Sequence, residues 1–280
     1  MCIRDSSESI GQIVGVVYLE TDAQVDSVSI MDPQLVGMLA SQAGFAIDIA
    51  RLDRQLEQEI RQQEELKGQQ RQLQRYLSKE VAAAVMSDPD LAILGARKMK
   101  VTLLFTDVRG FTQWSASMPS NVVVDTLNQI FSLITPILFK HGGTLDKYLG
   151  DGLMAIFGAP VESPGHALSA VLAAREMQEV MTSWLQGMER QGTRIPGMGL
   201  GINTGEVSVG NVGSEDRMEY TAIGDVVNIA SRICGVAGPG QVLISESTLA
   251  AMPIGAFLTR RLELTHVKGR QDPIQLFEVL

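Results

Sequence analysis

The run Val101-Thr102-Leu103-Leu104-Phe105-Thr106-Asp107 reads as an apolar strand that closes on a carboxylate. Burying an acid is costly unless a cation or hydrogen-bond donors compensate it, so a strand ending this way needs a specific partner. Further on, Lys147-Tyr148-Leu149-Gly150-Asp151-Gly152 reads as a tight hairpin whose glycines bracket a second carboxylate, Asp151, forty-four positions after Asp107. Gly150 and Gly152 keep that turn narrow enough for Asp151 to sit beside Asp107. The stretch between the two acids has room for helices, which the patterning places at 111–117 and 120–140. Strand, helices and hairpin, followed by a further helix and strands, predict an α+β fold with a ferredoxin-like βααββαβ core and helices covering one sheet.

Strands are expected at 100–107, 144–148, 152–158, 198–204, 206–210, 217–222, 241–244, 257–266 and 273–280. Helices are expected at 163–188, 224–237 and 245–251, besides the two already given. Ahead of this region, Gln, Glu and Arg with sparse leucines dominate 53–80, the composition of a solvated helix. A heptad seam places Leu52, Glu59, Leu66 and Leu73 at d and Leu56, Gln63, Gln70 and Leu77 at a. Five of these eight positions are apolar, so the segment is a weak coiled coil or a plain spacer helix. Ser87-Asp88-Pro89 is expected to end it, because the residue before proline is pushed out of the α region. Further upstream, 11–19 reads as one apolar strand and 33–51 as one helix, too little to bury a core alone. The chain is therefore expected to begin inside a domain, giving units at 1–52, 53–97 and 98–280.

Two carboxylates on neighbouring strands fit a pair of divalent cations, Mg²⁺ or Mn²⁺, one activating an attacking oxygen and the other holding leaving phosphates. Each acid alone has a plainer reading: Asp107 as a helix cap, Asp151 as a turn residue. After Asp107, Val108-Arg109-Gly110-Phe111-Thr112 turns sharply into a helix whose first N–H groups, near Gly110 and Phe111, attract phosphate. Asn228 and Arg232, four apart on an expected helix, share one face and can converge on one ligand, their plainer reading being a surface hydrogen-bonding pair. An asparagine orients a ribose there, and an arginine stabilises charge at a phosphorus under attack. Lys268 adds a cation near the last strands, and by itself reads as an exposed lysine.

The net charge of -9 argues against nonspecific nucleic-acid binding, since no basic stripe exists to release phosphate counterions. Cys2 and Cys234 lack metal spacing and make no disulfide framework, which fits a reducing, cytoplasmic location. No apolar run reaches the roughly 18 residues of a bilayer span, so no membrane segment is expected in this chain. Attachment through sequence outside it stays open.

Together with Gly201-Ile202-Asn203-Thr204-Gly205-Glu206-Val207 and Val209-Gly210-Asn211-Val212-Gly213-Ser214, these segments resemble the catalytic domain of class III nucleotidyl cyclases over about 98–280. The resemblance implies attack of a ribose 3′-oxygen on the α-phosphate of a nucleoside triphosphate, giving a 3′,5′-cyclic monophosphate and pyrophosphate. It also implies that Asp107 and Asp151 bind the metals, with the Val108 carbonyl as a further ligand. Asn228 and Arg232 match the transition-state pair, Lys268 the triphosphate lysine, and Lys147 and Thr221 the base-selecting positions. In the family the site lies between two catalytic domains, so one chain carrying both residue sets implies a head-to-tail homodimer with shared sites.

Lys147 can donate to adenine N1 and Thr221 can accept from N6, which favours ATP; a lysine can also donate to guanine O6, so guanylate cyclase is the runner-up. Many adenylate cyclases have an aspartate where Thr221 stands; threonine resembles the class IIIb subset, some of which respond to bicarbonate. Gly15-Val16-Val17-Tyr18-Leu19-Glu20 and the stretch from Leu39 to Leu52 resemble the last strand and helix of a GAF sensor domain. A diguanylate cyclase is set aside, because Thr144-Leu145-Asp146 follows His141-Gly142-Gly143 where that family needs an acidic residue. A non-catalytic dimerising scaffold is the remaining alternative.

Overall fold

The computed structural model describes residues 2–6, 13–18, 33–73, 95–190, 192–193, 195–214, 217–264 and 273–280. The chain divides into two compact units, Met1–Leu73 and Gln74–Leu280.

In the first unit, β1 (Cys2–Ser6) pairs antiparallel with β2 (Ile13–Tyr18), and α1 runs from Pro33 to Leu73. The strand at Cys2–Ser6 was not expected, because Arg4, Asp5 and Ser6 hide any apolar period. Helix α1 is continuous through position 52, where the composition changes. Leu52 and Leu56 of the heptad seam are exposed. The expected helix end at Ser87-Asp88-Pro89 lies outside the described residues.

The second unit opens with β3 (Gly95–Val108), α2 (Phe111–Ala116), α3 (Ser120–Lys140), β4 (Gly143–Leu149), β5 (Gly152–Phe157), α4 (His166–Arg190) and β6 (Met198–Ser214). This is the expected βααββαβ order, and its strands stand side by side as β4-β5-β3-β6. The sheet continues through β8 (Val242–Ser245), β10 (Leu276–Val279) and β9 (Thr259–Arg261), while β7 (Arg217–Ile223) pairs with β6. Helices α5 (Asp225–Val236) and α6 (Glu246–Ala250) flank β8 in sequence.

Alternation along β3 divides the core. Leu104 and Val108 face one side with α3 and α4, in a cluster holding Ile130, Ile134, Leu138, Ala170 and Met177. Val101, Leu103 and Phe105 face the other side, where Ala230 and Cys234 of α5 and Ala222 of β7 cover them. Helices therefore pack on both faces of the one sheet they were expected to cover. By length and composition α3 would pass as a bilayer span, contrary to the expectation that no such run exists. Its residues Ile130, Ile134 and Leu138 are nevertheless wholly buried against the sheet, as in a core helix.

The break expected between 204 and 206 is absent, and β6 is one strand of 17 residues. Gly205 is there for packing: a Cβ on it would lie 2.7 Å from a Val226 methyl of α5. Conversely, of the strand expected at 257–266, the described residues 257–264 form a strand at Thr259–Arg261 alone.

Candidate active site

Strand β3 delivers Asp107 to the edge of the α5 face, and β5 sets the hairpin against it. Phe105 pairs with Met154, so the same antiparallel register brings Asp107 opposite Gly152. A Cβ on Gly152 would lie 1.8 Å from the Thr106 carbonyl oxygen and 3.3 Å from Asp107 Cα. Only glycine permits that contact, and it holds Asp151 next to Asp107. The Thr106 hydroxyl accepts from Leu153 N–H at 3.1 Å and fixes the same junction.

Burial raises the Asp107 carboxyl above its ordinary range, Arg109 opposes that shift, and the Asp151 charge adds to it. Arg109 Nη2 lies 2.7 Å from Asp107 Oδ2 and donates to the Cys234 carbonyl at 2.9 Å, tying the site to the end of α5. The sequence reading assigned Arg109 no part. Gly110, at φ 72°, takes the left-handed turn that starts α2, and its carbonyl accepts from Trp114 N–H. Val108 is buried and Phe111 packs on the α3–α4 cluster.

Among the described residues no group of three or more His, Cys, Asp or Glu side chains could hold a metal. Two half-buried, mutually repelling carboxylates nevertheless suit a hard divalent cation that completes its shell with a backbone carbonyl, water and substrate phosphate. The donor set of Asp107, Asp151 and the Val108 carbonyl fits that chemistry.

A second cluster joins β4 to β7. Leu145 pairs with Ala155 but Lys147 with Met154, so Asp146 is the extra residue of a β-bulge. The bulge lets Leu145 reach the α3–α4 core while Lys147 follows Met154 to the opposite face. Thr221 donates its hydroxyl to Asp146 Oδ2 at 2.6 Å. Lys147 Nζ lies 2.6 Å from Glu219 Oε2 and 3.5 Å from Asp146 Oδ1. The latter separation is an ion pair rather than a good hydrogen bond, and Oδ1 has no hydrogen-bond partner. Burial raises the Asp146 carboxyl, while the Thr221 hydroxyl and Lys147 pull it back. The Lys147 ammonium is penalised by burial, yet Glu219 and Asp146 together hold it above its usual value. Thus Lys147 and Thr221, separated by 74 positions, meet at one carboxylate. Neither Asp146 nor Glu219 was singled out, since nothing in a period-2 pattern announces a bulge.

On α5 the buried residues are Ala230, Ile233 and Cys234. At about 100° per residue, Asn228 and Arg232 fall on the opposite side, where Asn228 is exposed and Arg232 half-buried. They share a face turned away from the core, as their spacing implied. Lys268 lies outside the described residues.

Residues 95–278 match the adenylate and guanylate cyclase catalytic domain family, and the chain belongs to that family. Its architecture is that of a nucleotidyl cyclase catalytic domain. It is 36% identical over 186 residues to the terminal-differentiation-specific adenylate cyclase of Dictyostelium discoideum, covering 64% of this chain and 8% of that protein. It is 30% identical to adenylate cyclase 1 of Rhizobium meliloti, covering 73% of this chain and 31% of that protein. The chain thus spans less than a third of either curated relative.

Among solved structures, the adenylyl cyclase CyaB from P. aeruginosa is 35% identical, with a TM-score of 0.64, covering 67% of this chain and 96% of that one. The guanylyl cyclase Cya2 is 37% identical, with a TM-score of 0.62, covering 66% and 94%. Adenylyl and guanylyl enzymes stand equally near, so likeness does not choose the base.

Proposed function

We propose that this protein is an adenylate cyclase of a signalling pathway, converting ATP to 3′,5′-cyclic AMP and pyrophosphate in a head-to-tail homodimer. The choice of ATP rests on the meeting of Lys147 and Thr221 at Asp146, which sets a donor beside an acceptor as the adenine N1 and N6 edge requires. Asp107, Asp151 and the Val108 carbonyl would hold two Mg²⁺ or Mn²⁺ ions. A bound pair supplies Lewis acidity and neutralises phosphate charge. Gly110 and Phe111 present backbone N–H groups at the phosphate side, and Lys268 adds a cation for the triphosphate. From the partner chain, Asn228 orients the ribose, and Arg232 stabilises charge gathering on the α-phosphate while the ribose 3′-oxygen attacks.

In this reading Lys147 and Asp151 serve opposite sites of the dimer, although four positions apart. Residues 1–52 are read as the end of a GAF sensor domain and 53–97 as the helical linker carrying its signal. Mixing an Asp107→Asn chain with an Asn228→Ala chain should rebuild one intact site per heterodimer. Cyclic AMP production that rises well above either variant alone supports the shared site, and no recovery rejects it. Side-by-side turnover of ATP and GTP with Mn²⁺ tests the base, with GTP preference reassigning the protein as a guanylate cyclase.

A further inference from the structure

The Asp146 side chain is buried, with an exposure of 0%, although the residue's backbone is partly open, and it sits at the bulge, against both base-selecting side chains. A buried carboxylate is a costly way to join two strands, because an apolar pair would do so without desolvating a charge. Its placement has a chemical consequence instead. An ionised carboxylate only accepts hydrogen bonds, so the 2.6 Å contact fixes Thr221 as the donor. A threonine hydroxyl has one proton, and this one is spent on Asp146. The oxygen then offers nothing but lone pairs to a ligand. Without Asp146 the same hydroxyl would rotate and serve either an amino group or a carbonyl.

We propose that Asp146 is a positioning residue for base selection, holding Thr221 Oγ1 as a pure acceptor so that the pocket takes purines bearing a 6-amino group and rejects 6-oxopurines. The inference rests on the proposed role of Lys147 and Thr221 at the base. Asp146 acts on both: its Oδ2 fixes the Thr221 proton, and its Oδ1 faces the Lys147 ammonium at 3.5 Å.

Substituting Asp146→Asn inverts this polarity. The Lys147 charge draws the new amide oxygen to the Oδ1 position, which leaves the amide NH2 to donate to Thr221. The threonine proton is then released toward the base, where it favours the O6 of guanine.

The test uses the full chain and the kcat/KM of cyclic product from ATP, GTP and purine riboside triphosphate, which lacks the 6-amino group. A ratio between two substrates is independent of the fraction of protein that folds, so a purely structural role of Asp146 leaves it unchanged. The ATP-over-GTP ratio should fall about tenfold in Asp146→Asn, the scale of one mismatched buried hydrogen bond, and ATP should lose its advantage over purine riboside triphosphate. Thr221→Val should remove the same advantage, and adding Asp146→Asn to Thr221→Val should change the ratio no further. If Asp146→Asn yields no folded protein, Asp146→Ser is read by the same ratios. A wild-type preference for ATP that survives the Asp146 substitutions overturns this inference alone. A wild-type preference for GTP, or no cyclic product, removes the base reading beneath it.

Discussion

Gly152 rests directly on the Thr106 carbonyl, so closely that a Cβ at position 152 would lie 1.8 Å from that oxygen. The contact carries Asp151 to Asp107 by backbone packing, and the Thr106 hydroxyl, accepting from Leu153 N–H, fastens the same junction. Because both contacting groups belong to the main chain, a side chain at 152 cannot be absorbed by a rotamer change.

Gly152→Ala is therefore expected to push the hairpin off β3, with a stability loss of about 1–3 kcal/mol from overpacking. Cyclase activity should fall more than stability does, by at least about tenfold, since small displacements of positioned groups are amplified in rate. Gly44→Ala, at a position with nothing within 4 Å of the added Cβ, is the matched control. Thermal denaturation and product formation on the same samples check both expectations, and a variant of full activity would show that the contact does not position the carboxylates.

The contrast between the two clusters shows what the residues alone convey. The apolar run ending in Asp107 and the Gly150-Asp151-Gly152 turn are contiguous signals, and the order from β3 to β6 follows from them. Asp146 was invisible because its role depends on a one-residue bulge that reverses the facing of Leu145 and Lys147. Arg109 was missed for a similar reason, since its partners at Cys234 and Gly235 lie on another element. Gly205 misled in the opposite direction: a glycine that admits Val226 is indistinguishable in sequence from one that breaks a strand.

Lys147 is held by Glu219 at 2.6 Å, and both side chains are partly open to solvent, with exposures of 34% and 50%. An exposed ion pair of this kind contributes less than about 1 kcal/mol to folding. Glu219→Gln should thus leave the melting temperature nearly unchanged. If Lys147 reads the base, releasing it from Glu219 should lower KM for ATP several-fold with little change in kcat. Steady-state kinetics decide this, and an unchanged KM would mean that the ion pair does not compete with nucleotide.

Cys234 lies on the buried face of α5, and burial pushes its thiol up to about 12, with Arg109 opposing the shift and Asp107 adding to it. Since the thiolate is the reactive form, native protein at pH 8 should leave Cys234 unmodified by iodoacetamide over hours. Labelling should become complete on unfolding in guanidinium. Peptide mass spectrometry at this residue reads the outcome, and rapid native labelling would reveal that α5 opens from β6.

His166 joins a chain of hydroxyls through the core. Thr204 donates to Thr248 at 3.1 Å and Thr248 to the Ile202 carbonyl, so the 2.7 Å contact between Thr102 and Thr204 must use the Thr102 proton. Thr102 then accepts from His166 Nδ1 at 2.8 Å, which assigns the imidazole proton to Nδ1. Burial, reinforced by the Lys100 charge, lowers the His166 pKa below its ordinary 6.5. The native state therefore resists protonation while the unfolded state takes a proton below about 6.5, so unfolding is coupled to proton uptake there. Stability from this group is fully present above pH 6.5 and declines as pH falls toward the folded-state value. Urea midpoints at pH 7.5 and 5.5 should differ in the wild type, and His166→Asn should shrink that difference. Equal pH dependence in both proteins would place the proton uptake elsewhere.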